Sequence, residues 1–360
     1  MKFSLRVSLP CTVSQAFDAL HNPDVFRAVS APFLGFEALS PAQFPTRYES
    51  GKTYVVRVKA LGVISLGTQE INPVSTAEGM TGTFQDHGRG LTGALAQVTK
   101  FQHTMTLRPS GVGPTILEDE LDFDAGILTP FMALGFRVFW WWRHHMMKRL
   151  APQWQSESTR MWESRYSSTM WSGRVNPTLV NTLTHTPVGR ALEVGCGEGA
   201  DALWLAERGF EVTAVDASPR ALARGEAERA ARVSRDGIAR VIRWVASDIV
   251  LDPLPAPPQQ YDLVTAHFLH IPVAERKIVW KKLVEALAPG GTLLIVGHSL
   301  EDLEAGLRRP PADLMFDAKE LTSAIPRSWS TTEVGLRDRE QTTPENQTVI
   351  ARDIVAFAIR

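Results

Sequence analysis

The stretch Ala191-Leu192-Glu193-Val194-Gly195-Cys196-Gly197-Glu198-Gly199 constrains this chain more than any other. A short apolar run ends in a glycine-rich turn, and Ala200-Asp201-Ala202-Leu203-Trp204-Leu205 follows with the composition of a helix. A strand that stops in glycines at a helix N-terminus brings bare backbone and N–H groups close to a ligand. The stretch therefore reads as a cofactor loop.

From Arg190 onward, apolar runs alternate with amphipathic ones, as in a parallel sheet covered on both faces. The pattern predicts strands at 190–195, 210–215, 241–246, 261–266 and 292–297, with helices at 200–208, 219–233 and 274–287. Two final segments, Ser330 to Arg337 and Thr348 to Ile359, have no comparable helix between them and are expected to close the sheet edge as an antiparallel hairpin. The expected fold of this half is α/β, doubly wound and Rossmann-like, with an antiparallel last strand.

The loop alone leaves the cofactor open. Gly195, Gly197 and Ala200 satisfy a G-x-G-x-x-A dinucleotide fingerprint, and Asp216 ends the next strand where a ribose-binding acid is expected. Further features separate the readings. Glu193, two residues before the glycines, is awkward beside a pyrophosphate and suits a cationic amino group. Ser247-Asp248-Ile249 brings another acid over the same crevice, the strand ending in His267 returns to it, and Pro289-Gly290-Gly291 turns a helix into a fifth strand.

With these residues in this order, residues 161–360 resemble the class I S-adenosylmethionine-dependent methyltransferases. Within that class they are most similar to the tellurite-resistance and thiopurine methyltransferase-like group. The resemblance implies S-adenosylmethionine as cofactor, its methionine end against the loop Gly195, Cys196, Gly197 and Gly199, with Glu193 near the ammonium. It implies Asp216 on the ribose hydroxyls, Ser247 and Asp248 at the adenine amino edge, and Ala217 and Ile249 flanking the ring. Trp171 and Arg174, with Trp162 and Tyr166, match the segment that folds over the cofactor in that group.

Methyl transfer from a sulfonium is an in-line displacement in which positioning and exclusion of water supply much of the acceleration. A base helps only where the acceptor must lose a proton, and His267 or His270 are the candidates. Cys196 has no basic partner and is not expected to act as a nucleophile. The acceptor is expected to be a small, hydrophobic molecule. Two competing readings are a ligand-binding or sensor protein that holds the cofactor without catalysis, and a nicotinamide-dependent oxidoreductase.

At 360 residues the chain exceeds one ordinary core, so a first domain at 1–150 and a linker at 151–160 are expected. Residues 1–150 open with an alternating strand, Lys2 to Leu9, then a short helix, Val13 to Leu20, ending near Asn22-Pro23. Alternating runs such as Thr53 to Lys59 and Phe101 to Leu107 follow, and a helix from Thr129 to Leu150 closes the region. Carried by Val7-Ser8-Leu9-Pro10 with Ala16-Phe17 and by Leu117 to Leu121, this α+β order resembles the START-like (SRPBCC) helix-grip superfamily, which implies an apolar ligand cavity. Equally open is that Phe131, Leu134, Val138 and Trp142, at helical spacing, simply fill the core.

His103, His144 and His145 show no metal-ligand spacing, and no metal is expected. The apolar run Gly126 to Trp142 is interrupted by Arg137 and falls short of the roughly 20 residues of a membrane span. A net charge of −1 gives no electrostatic case for nucleic acid. Two cysteines, one inside the glycine loop, and the lack of a signal-like apolar core fit a reducing, cytoplasmic setting.

Overall fold

The computed structural model describes residues 1–360 apart from 79–80, 111–113, 167–172, 185, 238–240, 305–306, 308 and 343–347. The chain divides into two compact units, Met1–Gln155 and Ser156–Arg360. The segment expected as a linker is structured, with a 3-10 turn at Ala151–Trp154.

The first unit runs β1 (Lys2–Leu9), α1 (Val13–His21), α2 (Pro23–Ser30), β2 (Leu34–Ser40), β3 (Tyr54–Ala60), β4 (Ile64–Ile71), β5 (Pro73–Glu78), β6 (Thr81–Asp86), β7 (Lys100–Pro109), β8 (Thr115–Asp124) and α3 (Thr129–Leu150). Strands β1-β8-β7-β6-β5 form one antiparallel sheet and β2-β3-β4 another. A capping box joins Thr12 and Gln15 at the start of α1. Asn22-Pro23, expected only to end that helix, also starts the next: Asn22 accepts from Asp24 N–H and Pro23 takes the first helical position.

The two closing-helix expectations fare differently. The bounds Thr129–Leu150 agree, yet the buried face of α3 carries Ala133, Trp140, Arg143, His144 and Met147. Phe131, Leu134 and Val138 do not fill the core; they are 80%, 70% and 49% exposed. Trp142 is half-buried and donates Nε1–H to Ala31 O at 2.7 Å.

The inward face is fixed by polar contacts. Asp119 on β8, fully buried, accepts from Trp140 Nε1 at 3.0 Å and His144 Nε2 at 3.0 Å, and meets His103 Nε2 at 2.5 Å and Arg143 Nη1 at 3.5 Å. Beside this cluster lies a cavity of about 40 Å3 between Val29, Phe84 and Met105 on one side and Asp86, His103 and Arg143 on the other. That is the scale of a few water molecules, far below the roughly 300–1,000 Å3 of a small-molecule site.

The second unit runs α4 (Glu157–Arg165), α5 (Pro177–Leu183), β9 (Arg190–Val194), α6 (Ala200–Glu207), β10 (Glu211–Asp216), α7 (Pro219–Asp236), β11 (Ile242–Ala246), β12 (Tyr261–His267), α8 (Val273–Ala286), β13 (Leu287–His298), α9 (Glu301–Glu304), α10 (Ala318–Ala324), β14 (Thr331–Thr342) and β15 (Thr348–Ile359). One sheet has the order β11-β10-β9-β12-β13-β15-β14. The pairs from β11 through β13 are parallel, and β15 runs antiparallel to both β13 and β14.

The expected strands, helices and closing hairpin of this unit are all present within a few residues, save that β13 begins earlier. Tyr261 pairs with Leu287 and Leu263 with Thr292. Pro289-Gly290-Gly291 is therefore a bulge within β13 rather than a turn before it. Leu192, Val264, Leu283 and Leu293 belong to one core in which α8 and α10 pack onto the sheet.

Candidate functional site

In an open doubly wound sheet, the crevice lies beyond the carboxyl ends of the strands, where the strand order reverses. Here the reversal is between β9 and β12, and the loops that follow β9, β10, β11 and β12 line a cavity of about 790 Å3. That volume suits a cofactor together with a small substrate.

The loop after β9 is held in place by its own backbone. Gly195 and Cys196 N–H both donate to Val215 O, at 2.8 and 3.1 Å. Gly195 has φ +73°, which L side chains rarely adopt, and a Cβ there would also push against the movable tip of Leu269, 2.8 Å from Cδ1. Gly199 caps α6 with φ +80° and abuts the Trp244 ring, where a Cβ lies 2.3 Å away. Both its left-handed backbone and its packing against β11 require glycine there. Cys196 is buried, and its thiol is pushed well up by that burial and by Asp216 and Glu193, which removes the thiolate needed for nucleophilic chemistry.

Three acids surround this loop. Glu193 is buried, and its Oε2 has no hydrogen-bond partner. Burial first, then Asp201 and Asp216, drive its carboxyl well above the usual range. Asp201, in the first turn of α6, accepts from Asn176 N–H at 2.7 Å and from His267 Nδ1–H at 2.7 Å. One atom each of Glu193, Asp201 and His267 lies within 4.8 Å of the others, a set that could hold a cation. Both Asp201 oxygens hold a protein donor while Glu193 Oε2 holds none, so the set retains acceptor capacity for an ammonium group.

Asp216, at the end of β10, accepts Gly197 N–H and Ser218 N–H, each at 2.8 Å. Burial raises its pKa to about 6 against the pull of those two amides. Asp248 is fully buried and accepts from Ser156 N–H at 2.8 Å and Val250 N–H at 3.2 Å. Ala217, Ser247 and Ile249 line the same end of the cavity, and Ser247 Oγ donates to Asp252 Oδ2 at 3.4 Å.

Arg174 is exposed at the rim. Trp171 lies outside the described residues. Trp162 and Tyr166 form fixed wall: Trp162 Nε1–H donates to His270 O at 3.1 Å, and Tyr166 O accepts from Arg224 Nη2 at 3.1 Å.

The two candidate bases separate. His267 lines the cavity and its Nε2 is buried without a partner. His270 does not line it. Its ring stacks on His298 at 5.1 Å and on Phe316 at 6.0 Å, and burial lowers its pKa to about 3. Phe268, which follows His267 in the cavity wall, holds a left-handed φ of +52°, a strained conformation of the kind found at binding sites.

Sequence reasoning missed Asp201, Asn176 and Phe268, together with His298, Arg309 and Arg339 on the far wall. Asp201 had one legible signal: an acid in the first turn after a glycine loop.

Comparison with known proteins agrees with this geometry. Residues 191–291 match a family model described as a methyltransferase domain. Glycine N-methyltransferase of Rattus norvegicus is 28% identical over 183 residues, covering 48% of this chain and 62% of that protein. The human protein of that name is 26% identical over the same length. The chain thus spans less than two thirds of the curated relatives that it matches. Among solved structures, the N-methyltransferase NodS from Bradyrhizobium japonicum WM9 in complex with S-adenosyl-L-homocysteine aligns at 21% identity and a TM-score of 0.40, over 57% of this chain and 99% of that one. The second unit carries a class I, S-adenosylmethionine-dependent methyltransferase domain.

Proposed function

We propose that the second unit transfers the methyl group of S-adenosylmethionine to a small-molecule acceptor, an amine first among the candidates. The observation that carries this reading is Glu193: a buried carboxyl with an unpartnered oxygen, beside Asp201 and facing the glycine loop, in need of a cation. The methionine ammonium is such a cation, and a pyrophosphate is the opposite, which disfavours the nicotinamide reading. S-adenosylmethionine, when bound, supplies a methyl group on an excellent leaving group.

Around it, Gly195, Cys196 and Gly197 admit the methionine end, Glu193 takes the ammonium, and Asp216 takes the ribose hydroxyls with its remaining lone pairs. Asp248, Ser247, Ala217 and Ile249 frame the adenine. His267, its Nδ1–H committed to Asp201, presents Nε2 as the acceptor for a proton leaving the substrate amine. The name of the curated relatives, glycine N-methyltransferase, supports nitrogen as the acceptor atom.

The narrower likeness to the tellurite-resistance and thiopurine group is supported by Glu193, Gly195, Gly197, Gly199, Asp216, Ser247-Asp248 and Pro289-Gly290-Gly291 in that order, with Trp162, Tyr166 and Arg174 in the entry segment. The START-like reading of residues 1–150 is supported by their element order: a strand, two helices, antiparallel strands and a closing helix. In that reading the first unit is an appended domain, and the 40 Å3 cavity beside Asp119 is too small for a hydrophobic ligand.

Calorimetric titration with S-adenosylhomocysteine, NAD and NADP tests the cofactor, followed by transfer of a labelled methyl group to a panel of amines, phenols and thiols. Binding of the thioether with transfer to an amine is expected. Nicotinamide binding without thioether binding overturns the assignment, and cofactor binding with no transfer to any acceptor favours a sensor.

A further inference from the structure

A helix apolar on every side is ordinarily buried on every side. Helix α3 departs from this. Its inward face packs on the sheet, while Phe131, Leu134, Val138 and Trp141 stand on its outer face, continued toward the N-terminus by Ile127 in the preceding 3-10 turn. Ile127 is 91% and Trp141 65% exposed. The spacing alternates four and three residues, so these side chains form one straight stripe, about 21 Å long at 1.5 Å per residue.

The charge on that helix is one-sided. His145, Lys148 and Arg149 are exposed on the turns that extend the stripe, and Arg137 is exposed on its flank. Between Ala125 and Gln155 the sequence contains no Asp or Glu. A second copy packing its own α3 against this helix would offer only the same cations, with no acid to pair them. An anionic lipid surface offers both partners at once: acyl chains for the stripe and headgroup phosphates for its basic end.

We propose that α3 is a membrane-contacting helix that seats the protein on anionic bilayers. Ile127, Phe131 and Leu134 enter the acyl boundary, and Lys148 and Arg149 sit at headgroup level. Trp141, between the two, occupies the interfacial position that tryptophan favours. The helix lies in the interface and does not span it: no helix among the described residues is long and apolar enough to cross a membrane.

Flotation of the full chain with phosphatidylcholine vesicles, with and without phosphatidylglycerol, tests this. Binding to the anionic vesicles is expected, weakened by high salt. The double variant Lys148→Gln/Arg149→Gln is expected to lose about fivefold in partition per cation, the equivalent of about 1 kcal/mol each. Phe131→Gln/Leu134→Gln is expected to lose at least roughly tenfold. All four positions are exposed, and unchanged circular dichroism and melting temperature confirm that the variants fold. No binding to either vesicle overturns the proposal, as does binding that neither variant weakens. So does a micromolar dimer that Phe131→Gln/Leu134→Gln dissociates, which would show a second copy covering the stripe.

Discussion

His267 Nδ1–H donates to Asp201 Oδ2 across 2.7 Å, joining the end of β12 to the first turn of α6 over 66 residues of sequence. A carboxylate can only accept, so this bond fixes the tautomer and leaves Nε2 as a bare acceptor at the cavity wall. Asp201→Asn offers an amide donor that turns the imidazole's proton outward. A loss of roughly 10²- to 10⁴-fold in kcat is expected for this variant and for His267→Gln. The double variant is expected to be no worse than either single one, because the two residues act as a unit. Additive losses in steady-state kinetics would separate them.

Asp216 makes cofactor binding sensitive to pH. Its pKa of about 6 results chiefly from burial, opposed by the Ser218 and Gly197 amides. Above pH 6 the carboxylate accepts from the ribose hydroxyls, and below it the protonated acid loses that capacity. Affinity for S-adenosylhomocysteine is expected to fall between pH 7.5 and 5 in the wild type and to stay level in Asp216→Asn, by calorimetry. Asp216→Ala at pH 7.5 is expected to bind at least roughly tenfold more weakly, a bidentate charged contact being worth about 1.5–3 kcal/mol.

Glu193→Gln keeps the shape and removes the charge. S-adenosylhomocysteine is expected to bind about tenfold more weakly to this variant. Methylthioadenosine, which lacks the amino acid end, is expected to bind as it does to the wild type. Equal losses for both ligands would place the ammonium elsewhere.

In the first unit, Asp119→Asn leaves Arg143 buried without its counter-ion, at an expected cost of about 3–5 kcal/mol in urea unfolding. The Asp119 carboxyl is held well below its usual range: burial alone raises it, and His103, His144 and Arg143 outweigh burial. Its stabilising contribution is therefore complete above about pH 4, the ordinary carboxylate range, and is lost as pH falls toward the folded-state value.

Much of the second unit was legible because its strands are short apolar runs bounded by amphipathic helices, and because Gly195, Asp216 and Asp248 close successive strands at one edge. What stayed hidden depended on distance or on side. Asp201 reads as an ordinary first-turn acid until β12 brings His267 to it. The spacing of Phe131, Leu134 and Val138 defined a face of α3 but not which way it points. That was decided by Asp119 gripping Trp140 and His144 on the other side. Asn22-Pro23 stops one helix in sequence terms while its geometry starts another.

The insertion of β15 between β13 and β14 also sets an order of assembly. β13 keeps an open edge, and β14 has no neighbour, until residues 348–359 have been synthesised and have reached the sheet. A nascent chain can thus display its complete glycine loop long before its sheet is closed. Ribosome-arrested chains ending before Thr348 are expected to be cleaved rapidly by protease in the second unit, and chains extended past Ile359 with enough linker to clear the exit tunnel are expected to resist. For this unit, folding competence arrives only with its last strand.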